Sequence, residues 1–217
     1  MTQPKLLDLY CGAGGASMGY HQAGFNVTGV DINPQKHYPF DFHQADAIEF
    51  IQQFGSQFDA IHASPPCQVH SKTKHLANKN HPDLIEQTRE ILIQLGLPYV
   101  IENVPGAPLI NPQRLEGQMF PQLRTHRPRI FETNWNLELP ALIPPPPQSV
   151  KMGRNPTGNQ WIQCVGNFIN VPHGRIAMGI DWMTQKELAQ AIPPAYTEFI
   201  GKQLFALLTN NTTRNPT

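Results

Sequence analysis

A chain of 217 residues, 40% hydrophobic and 15% charged, is long enough to bury a full core and too apolar for wholesale disorder, so one domain with a small appendage is expected. No apolar run approaches bilayer-spanning length, Met1-Thr2-Gln3-Pro4-Lys5 lacks a signal peptide's apolar core, and the three cysteines (Cys11, Cys67, Cys164) have neither the count nor the spacing of a disulfide framework or zinc site. A formal net charge of zero argues against a uniformly basic nucleic-acid binder, yet basic clusters stand at Lys72–His81, Arg124–Arg129 and Lys151–Arg154. These bounds suit a soluble intracellular protein that holds no metal.

In chain order, Lys5 to Tyr10 is an apolar strand that breaks into Cys11-Gly12-Ala13-Gly14-Gly15, and a helix follows from Ser17 to Ala23 with Gly24 closing it. Phe25 to Asp31 is a second strand ending in an acid. Ala45-Asp46-Ala47 reads as a short third strand or turn, and Ile48 to Phe54 as a helix. Phe58 to Ala63 is a fourth strand. Helical spacing of Leu84, Ile85, Ile91, Leu92 and Leu95 predicts a helix over Pro82–Leu95, and Pro98 to Val104 is a fifth strand. Arg129 to Thr133 reads as one more strand. Residues 136–175, rich in proline, glycine and asparagine, read as a loop-rich insertion with room for one hairpin. Thr184 and Glu187 stand at capping-box spacing, the last helix runs from Pro194 or Ala195 to Leu208, and the polar tail from Asn210 frays. The alternation predicts an α/β fold with a doubly wound, mostly parallel sheet.

In such a sheet, ligands bind at the carboxyl ends of strands. The first strand delivers a glycine turn there, and Asp31 and Asp46 end the next two. Glycines let the backbone approach a ligand, Asp31 is placed to accept ribose hydroxyls, and Asp46 to accept an adenine amino group. The order fits an adenosyl ligand, and the missing dinucleotide fingerprint favours S-adenosylmethionine over NAD. Tyr10 has an aromatic face to offer a sulfonium cation. Two further strands end in Ser64-Pro65-Pro66-Cys67-Gln68 and Glu102-Asn103-Val104, a thiol and a carboxyl able to meet on one substrate. The basic cluster after Cys67 then suits phosphate contact.

Asp8 to Gly15, Pro65-Pro66-Cys67-Gln68, Glu102-Asn103-Val104 and Arg127-Pro128-Arg129 occur in the order found in cytosine-C5 DNA methyltransferases, and the chain resembles that family outside about residues 136–175. The resemblance implies a Rossmann-like, S-adenosylmethionine-dependent fold acting on a flipped-out cytosine. It implies that the Cys67 thiolate adds to C6 of the base, that Pro66 fixes the loop, and that Glu102 grips the N3 and amino edge and protonates N3. Arg129, together with Arg127, would hold the O2 side of the base or a nearby phosphate, while water or a local oxygen takes the C5 proton. Tyr10, Gly12, Ala13, Gly14, Asp31, Ile32, Asp46, Ala47 and Pro65 become the expected cofactor residues, and Gln68, Ser71, Lys72, Lys74, Lys151 and Arg154 the expected nucleic-acid contacts. Residues 1–135 would form the catalytic domain, 136–175 a reduced target-recognition-like insertion, and 176–217 the helices completing the catalytic domain.

Three positions depart from the family pattern. Thr125 stands where the family has glutamine, Ala189-Gln190 where it has Gly-Asn, and the insertion is too small for the usual target-recognition domain. So small a reader implies short or degenerate recognition, an accessory protein, or a single-stranded substrate. Small phage-encoded methylases of restriction-modification type look similar, down to the ending Ala191-Ile192-Pro193-Pro194-Ala195-Tyr196-Thr197-Glu198. A monomer in the cytoplasm of a bacterial or phage-infected cell is expected, with DNA as partner. The rival readings are a tRNA methyltransferase of the Dnmt2-like kind, an amino-methyltransferase (disfavoured because Cys67 occupies its aromatic position), and a silent regulator binding S-adenosylmethionine or DNA.

Overall fold

The computed structural model describes residues 3–66, 84–140, 144–145, 147–150 and 153–214. Its elements are β1 (Lys5–Leu9), α1 (Gly15–Gln22), β2 (Asn26–Asp31), β3 (Asp41–Gln44), α2 (Ala47–Phe54), β4 (Ala60–Ala63), α3 (Leu84–Leu95), β5 (Tyr99–Asn103), β6 (Gln113–Leu115), β7 (Arg129–Thr133), α4 (Val171–Met178), α5 (Gln185–Gln190) and α6 (Pro194–Arg214). Seven strands form one sheet in the order β3-β2-β1-β4-β5-β7-β6. The first five run parallel, and β7 is antiparallel to both β5 and β6. The sequence-based expectation of a Rossmann-like, mostly parallel sheet holds.

Strand residues alternate between two apolar layers, as the pleat requires. Leu6, Val27, Ala60 and Val100 face α1 and α6, where Tyr20, Phe25, Tyr196 and Ile200 fill the core. Leu7, Leu9, Ile61 and Ile101 face α2 and α3, against Ile51, Ile91 and Leu92. Both faces being covered explains why β1 and β4 read as nearly continuous apolar runs. The exceptions to apolarity are informative: Asp8, His62 and Glu102 are buried polar residues on the α1 side of adjacent strands, with Asp8 paired to His62 in register.

Four expectations need correction. The third strand is Asp41–Gln44, not the stretch around Asp46; as an edge strand with three exposed residues it carries no apolar signature. Asp46 instead caps α2, its Oδ1 accepting from the amides of Ile48 (2.8 Å) and Glu49 (3.1 Å). The final helix does not stop at Leu208 but continues to Arg214, since propagation adds a backbone bond per residue whatever the side chain. Helix α4 interrupts the stretch read as loop, begun by the Asn170 cap and closed by left-handed Gly179, and among the described residues a parallel bridge, Ser149 to Trp161, stands where a hairpin was allowed for. Among the described residues no helix is long and apolar enough to cross a membrane.

Candidate active site

A cavity of about 600 Å³ opens at the carboxyl ends of β1, β2, β4 and β5, where the connections from neighbouring strands diverge. Its floor is the turn after β1. Tyr10 adopts a left-handed conformation (φ 58) and Gly12 another (φ 50), so the chain folds back sharply and Gly14 caps α1. A Cβ built on Gly12 meets nothing within 4 Å, which leaves its backbone open to a ligand. Asp31 fixes the turn from β2: its Oδ2 accepts from the Gly12 amide (3.1 Å) and its Oδ1 from the Asn33 amide (2.9 Å). The Tyr10 hydroxyl meets Thr88 Oγ1 on α3 at 3.1 Å. The far wall comes from α5 and its exit, through Glu187, Gln190, Ala191 and Ile192. Trp182 pins that wall to the turn by donating to the Ala13 carbonyl (2.9 Å).

Asp8, buried at the base of the turn, also borders the cavity. Its Oδ2 accepts from the Ser17 hydroxyl, while Oδ1 has no partner among the described residues. Burial pushes this carboxyl up to about 7, against the lowering effect of Ser17.

At the other end of the cavity Glu102 and Arg129 form an ion pair, Oε1 to Nε 2.9 Å, with both side chains almost wholly buried. Burial raises the Glu102 carboxyl above the usual carboxylate range, while Arg129, the Ser64 hydroxyl and Arg127 pull it back. Asn103 donates to the Pro65 carbonyl (2.9 Å), so the strand that carries Glu102 also holds the loop leading toward position 67. His62 bridges two hydroxyls on the same side of the sheet, Tyr20 Oη at Nδ1 and Ser64 Oγ at Nε2, each at 3.0 Å. Desolvation drives its imidazole down to about 3, so it is neutral.

Tyr10, Gly12, Ala13, Asp31, Ile32, Pro65, Pro66, Glu102 and Arg129 therefore all line one cavity. Others do not. Gly14 faces Tyr38 and Pro39, and Asp46 and Ala47 lie outside the lining, with Asp46 Oδ1 capping α2. Arg127, expected beside the base, is turned away: it is buried, and its guanidinium donates to the carbonyls of Cys164 (2.8 Å), Ala189 (2.7 Å) and Ala191 (3.0 Å). Burial lowers it to about 9, so it stays charged near neutral pH. The Arg124–Arg129 cluster is thus not one basic surface. Arg154 is exposed on the insertion; Cys67, Gln68, Ser71, Lys72, Lys74 and Lys151 lie outside the described residues. Sequence reasoning gave no role to Tyr20, His62, Ser64 and Asn103, which stand on α1, within β4, just after β4 and at the end of β5. Among the described residues no group of three His, Cys, Asp or Glu side chains is arranged for a metal.

Comparison with known proteins agrees with this geometry. Residues 4–114, the span from β1 to β6, match the family described as C-5 cytosine-specific DNA methylase. The type II methyltransferase M.XorII of Xanthomonas oryzae pv. oryzae is 32% identical over 124 residues, which cover 49% of this chain and 29% of that relative. A prophage-encoded E. coli protein described as a DNA modification methyltransferase shares the fold (TM-score 0.70, 15% identity, 95% of this chain and 100% of that one). So does a DNMT2 mutant from Spodoptera frugiperda (TM-score 0.65, 15% identity, 95% and 100%). With a methylase match over half of its length and a sheet whose strand ends gather a glycine turn, an acid and a buried Glu–Arg pair, the chain belongs to the C-5 cytosine-specific DNA methylase family.

Proposed function

We propose that this protein methylates C5 of cytosine in DNA, using S-adenosylmethionine and a transient bond from Cys67 to C6 of a flipped-out base. The observation that carries the reading is the buried Glu102–Arg129 pair beside a loop that leads from Pro65-Pro66 to a cysteine.

S-adenosylmethionine is the family's cofactor, and the residues present fit it. The open backbone at Gly12 admits a close ligand, Asp31 has carboxylate lone pairs left for ribose hydroxyls, and the unpartnered Asp8 Oδ1 offers a buried acceptor to a cationic group. Tyr10, Gly12, Ala13, Asp31 and Ile32 would hold it. When bound, it supplies the electrophilic methyl group.

Cytosine C5 is a poor nucleophile until the ring loses aromaticity. A bond from the Cys67 sulfur to C6 shifts the C5–C6 electron pair to C4–C5, and the C4–N3 pair comes to rest on N3, which takes the Glu102 proton. Burial of Glu102 favours the protonated carboxyl this step needs, and Arg129 orients it. After C5 has gained its methyl, loss of the C5 proton to water or a local oxygen and departure of the thiolate restore the ring, and N3 returns its proton. A duplex buries C6, so the base must leave the stack. Lys72 and Lys74, with Lys151 and Arg154, would hold the phosphates.

Nucleoside mass spectrometry tests this on duplex DNA, single-stranded DNA and RNA incubated with the protein and S-adenosylmethionine. New 5-methylcytosine in DNA is expected, falling below detection for Cys67→Ser. Product in RNA alone would move the substrate, and undiminished product from Cys67→Ser would sink the covalent route.

A further inference from the structure

We propose that His37 and Glu187 are positioning residues that clasp two walls of the cofactor cavity together and so lengthen the stay of bound S-adenosylmethionine. The inference rests on the cavity being the cofactor site, and not on which nucleic acid is methylated.

The two walls come from segments 150 residues apart in the chain. One is the connection from β2 to β3, whose Ile32, Asn33 and Gln35 line the cavity just before His37. The other is α5, whose Glu187 and Gln190 line it in turn. His37 Nδ1 stands 2.9 Å from Glu187 Oε1 and joins them at the surface, with the histidine half exposed. Partial burial pushes the Glu187 carboxyl up, but His37 and Thr184 outweigh it and hold the group below its ordinary range, so it is ionised at neutral pH. A carboxylate only accepts hydrogen bonds, so Nδ1 carries the hydrogen and donates it.

Pairs between exposed side chains usually contribute little, because two mobile side chains must be fixed before they meet. Here both ends are fixed by other contacts. Oε2 of the same carboxylate accepts from the Thr184 amide and hydroxyl, each at 2.7 Å, which leaves Oε1 presented to His37. His37 stands in a turn closed by the Tyr38 amide on the Gln35 carbonyl (3.1 Å). Tyr38 anchors that turn to α1, its hydroxyl meeting Ser17 Oγ at 2.8 Å and its ring lying against Gly14 and Gly29. Helix α5 has only six residues, too few to be stable through its own hydrogen bonds, so a tie at Glu187 steadies it. A ligand that touches both walls binds best when their spacing is set before it arrives.

The test is the release of tritiated S-adenosylmethionine from the full chain, chased with excess unlabelled cofactor. His37→Ala should release it about threefold faster, at a melting temperature near that of the wild type. His37→Asn places an amide donor near the position of Nδ1 and should recover most of the residence time. Glu187→Gln keeps the capping box and loses the charge. Adding His37→Ala to that variant should change the rate far less than adding it to the wild type. A second readout needs no cofactor: hydrogen exchange at the Leu188 and Ala191 amides, which bond the Thr184 and Glu187 carbonyls at 2.9 Å, should quicken by a similar factor in His37→Ala. Wild-type release from folded His37→Ala would overturn the proposal, and so would equal effects of His37→Ala in the two backgrounds. A wild-type chain that takes up no S-adenosylmethionine would instead refute the cofactor reading of the cavity, and quickened exchange would then mark the pair as a tie within the fold alone.

Discussion

Asp31 illustrates how one side chain can serve both the fold and a ligand. Its two oxygens already restrain the Gly12 and Asn33 amides, so it shapes the turn before any cofactor arrives. Asp31→Ala should therefore weaken S-adenosylmethionine binding at least tenfold, about 1.4 kcal/mol, by titration calorimetry. A modest fall in melting temperature should accompany it, because the turn loses two charge-assisted bonds. An unchanged dissociation constant would remove Asp31 from the site. Asp31 and Glu102 were legible because they stand at the ends of apolar strands and so face the crevice, whereas Arg129, the first residue of β7, was legible only through the Arg127-Pro128-Arg129 motif. Tyr20, His62 and Ser64 were not, since their pairing joins residues 42 apart in the chain through a helix-to-strand contact that no local pattern specifies. Arg127 misled for the complementary reason. A basic residue next to another reads as surface, whereas left-handed backbone at Arg127 (φ 36), held by the Tyr196 hydroxyl on its carbonyl (2.9 Å), turns its side chain inward.

At the scale of elements, the placement of the glycine turn depends on how closely α1 approaches α6. Gly15, Gly19 and Gly201 are the contact points: a Cβ on Gly15 would press on the Ile192 carbonyl, and one on Gly19 on the Pro194 carbonyl and Thr197 Oγ1. Thr197 closes the contact by donating to the Ala16 carbonyl (2.8 Å). The segment Ala191-Ile192, which walls the cavity, thus rests on Gly15 at the start of α1, and the helix that follows it on Gly19 one turn further on. Gly19→Ala should cost about 2 kcal/mol through overpacking and lower Tm by roughly 4–8 °C in calorimetry. Cofactor affinity should drop with it as the wall shifts outward; a variant as stable as the wild type would show that the helices have slack. The alternation of strands and helices was readable because their apolar periods differ, and the capping box at Thr184 and Glu187 marked α5 correctly. The shorter β3, β6 and α4 escaped because they are partly exposed or too brief to show a period.

The whole molecule contains a third apolar cluster besides the two sheet faces. Ile162, Cys164, Phe168, Met178, Met183 and Leu188 pack together with Ala13 of the glycine turn. Much of what ties this cluster to the sheet is polar. Trp182 reaches Ala13, the Arg124 amide donates to the Ala177 carbonyl (3.0 Å), and Arg127, standing just before β7, fastens Cys164, Ala189 and Ala191 with one guanidinium. A rigid fork with five donors suits three carbonyls from two segments, and lysine cannot reproduce it. Arg127→Met keeps the volume and removes the fork, leaving three carbonyls without donors. Unfolding free energy should fall by roughly 3 kcal/mol, and Arg127→Lys should recover only part of that. Because the same carbonyls flank the wall of the cavity, S-adenosylmethionine binding should weaken in step with stability, whereas a residue gripping the base would lose affinity for nucleic acid at unchanged Tm. Chemical denaturation, cofactor titration and DNA binding on the two variants separate these outcomes. Loss of DNA binding with stability intact would return Arg127 to the substrate.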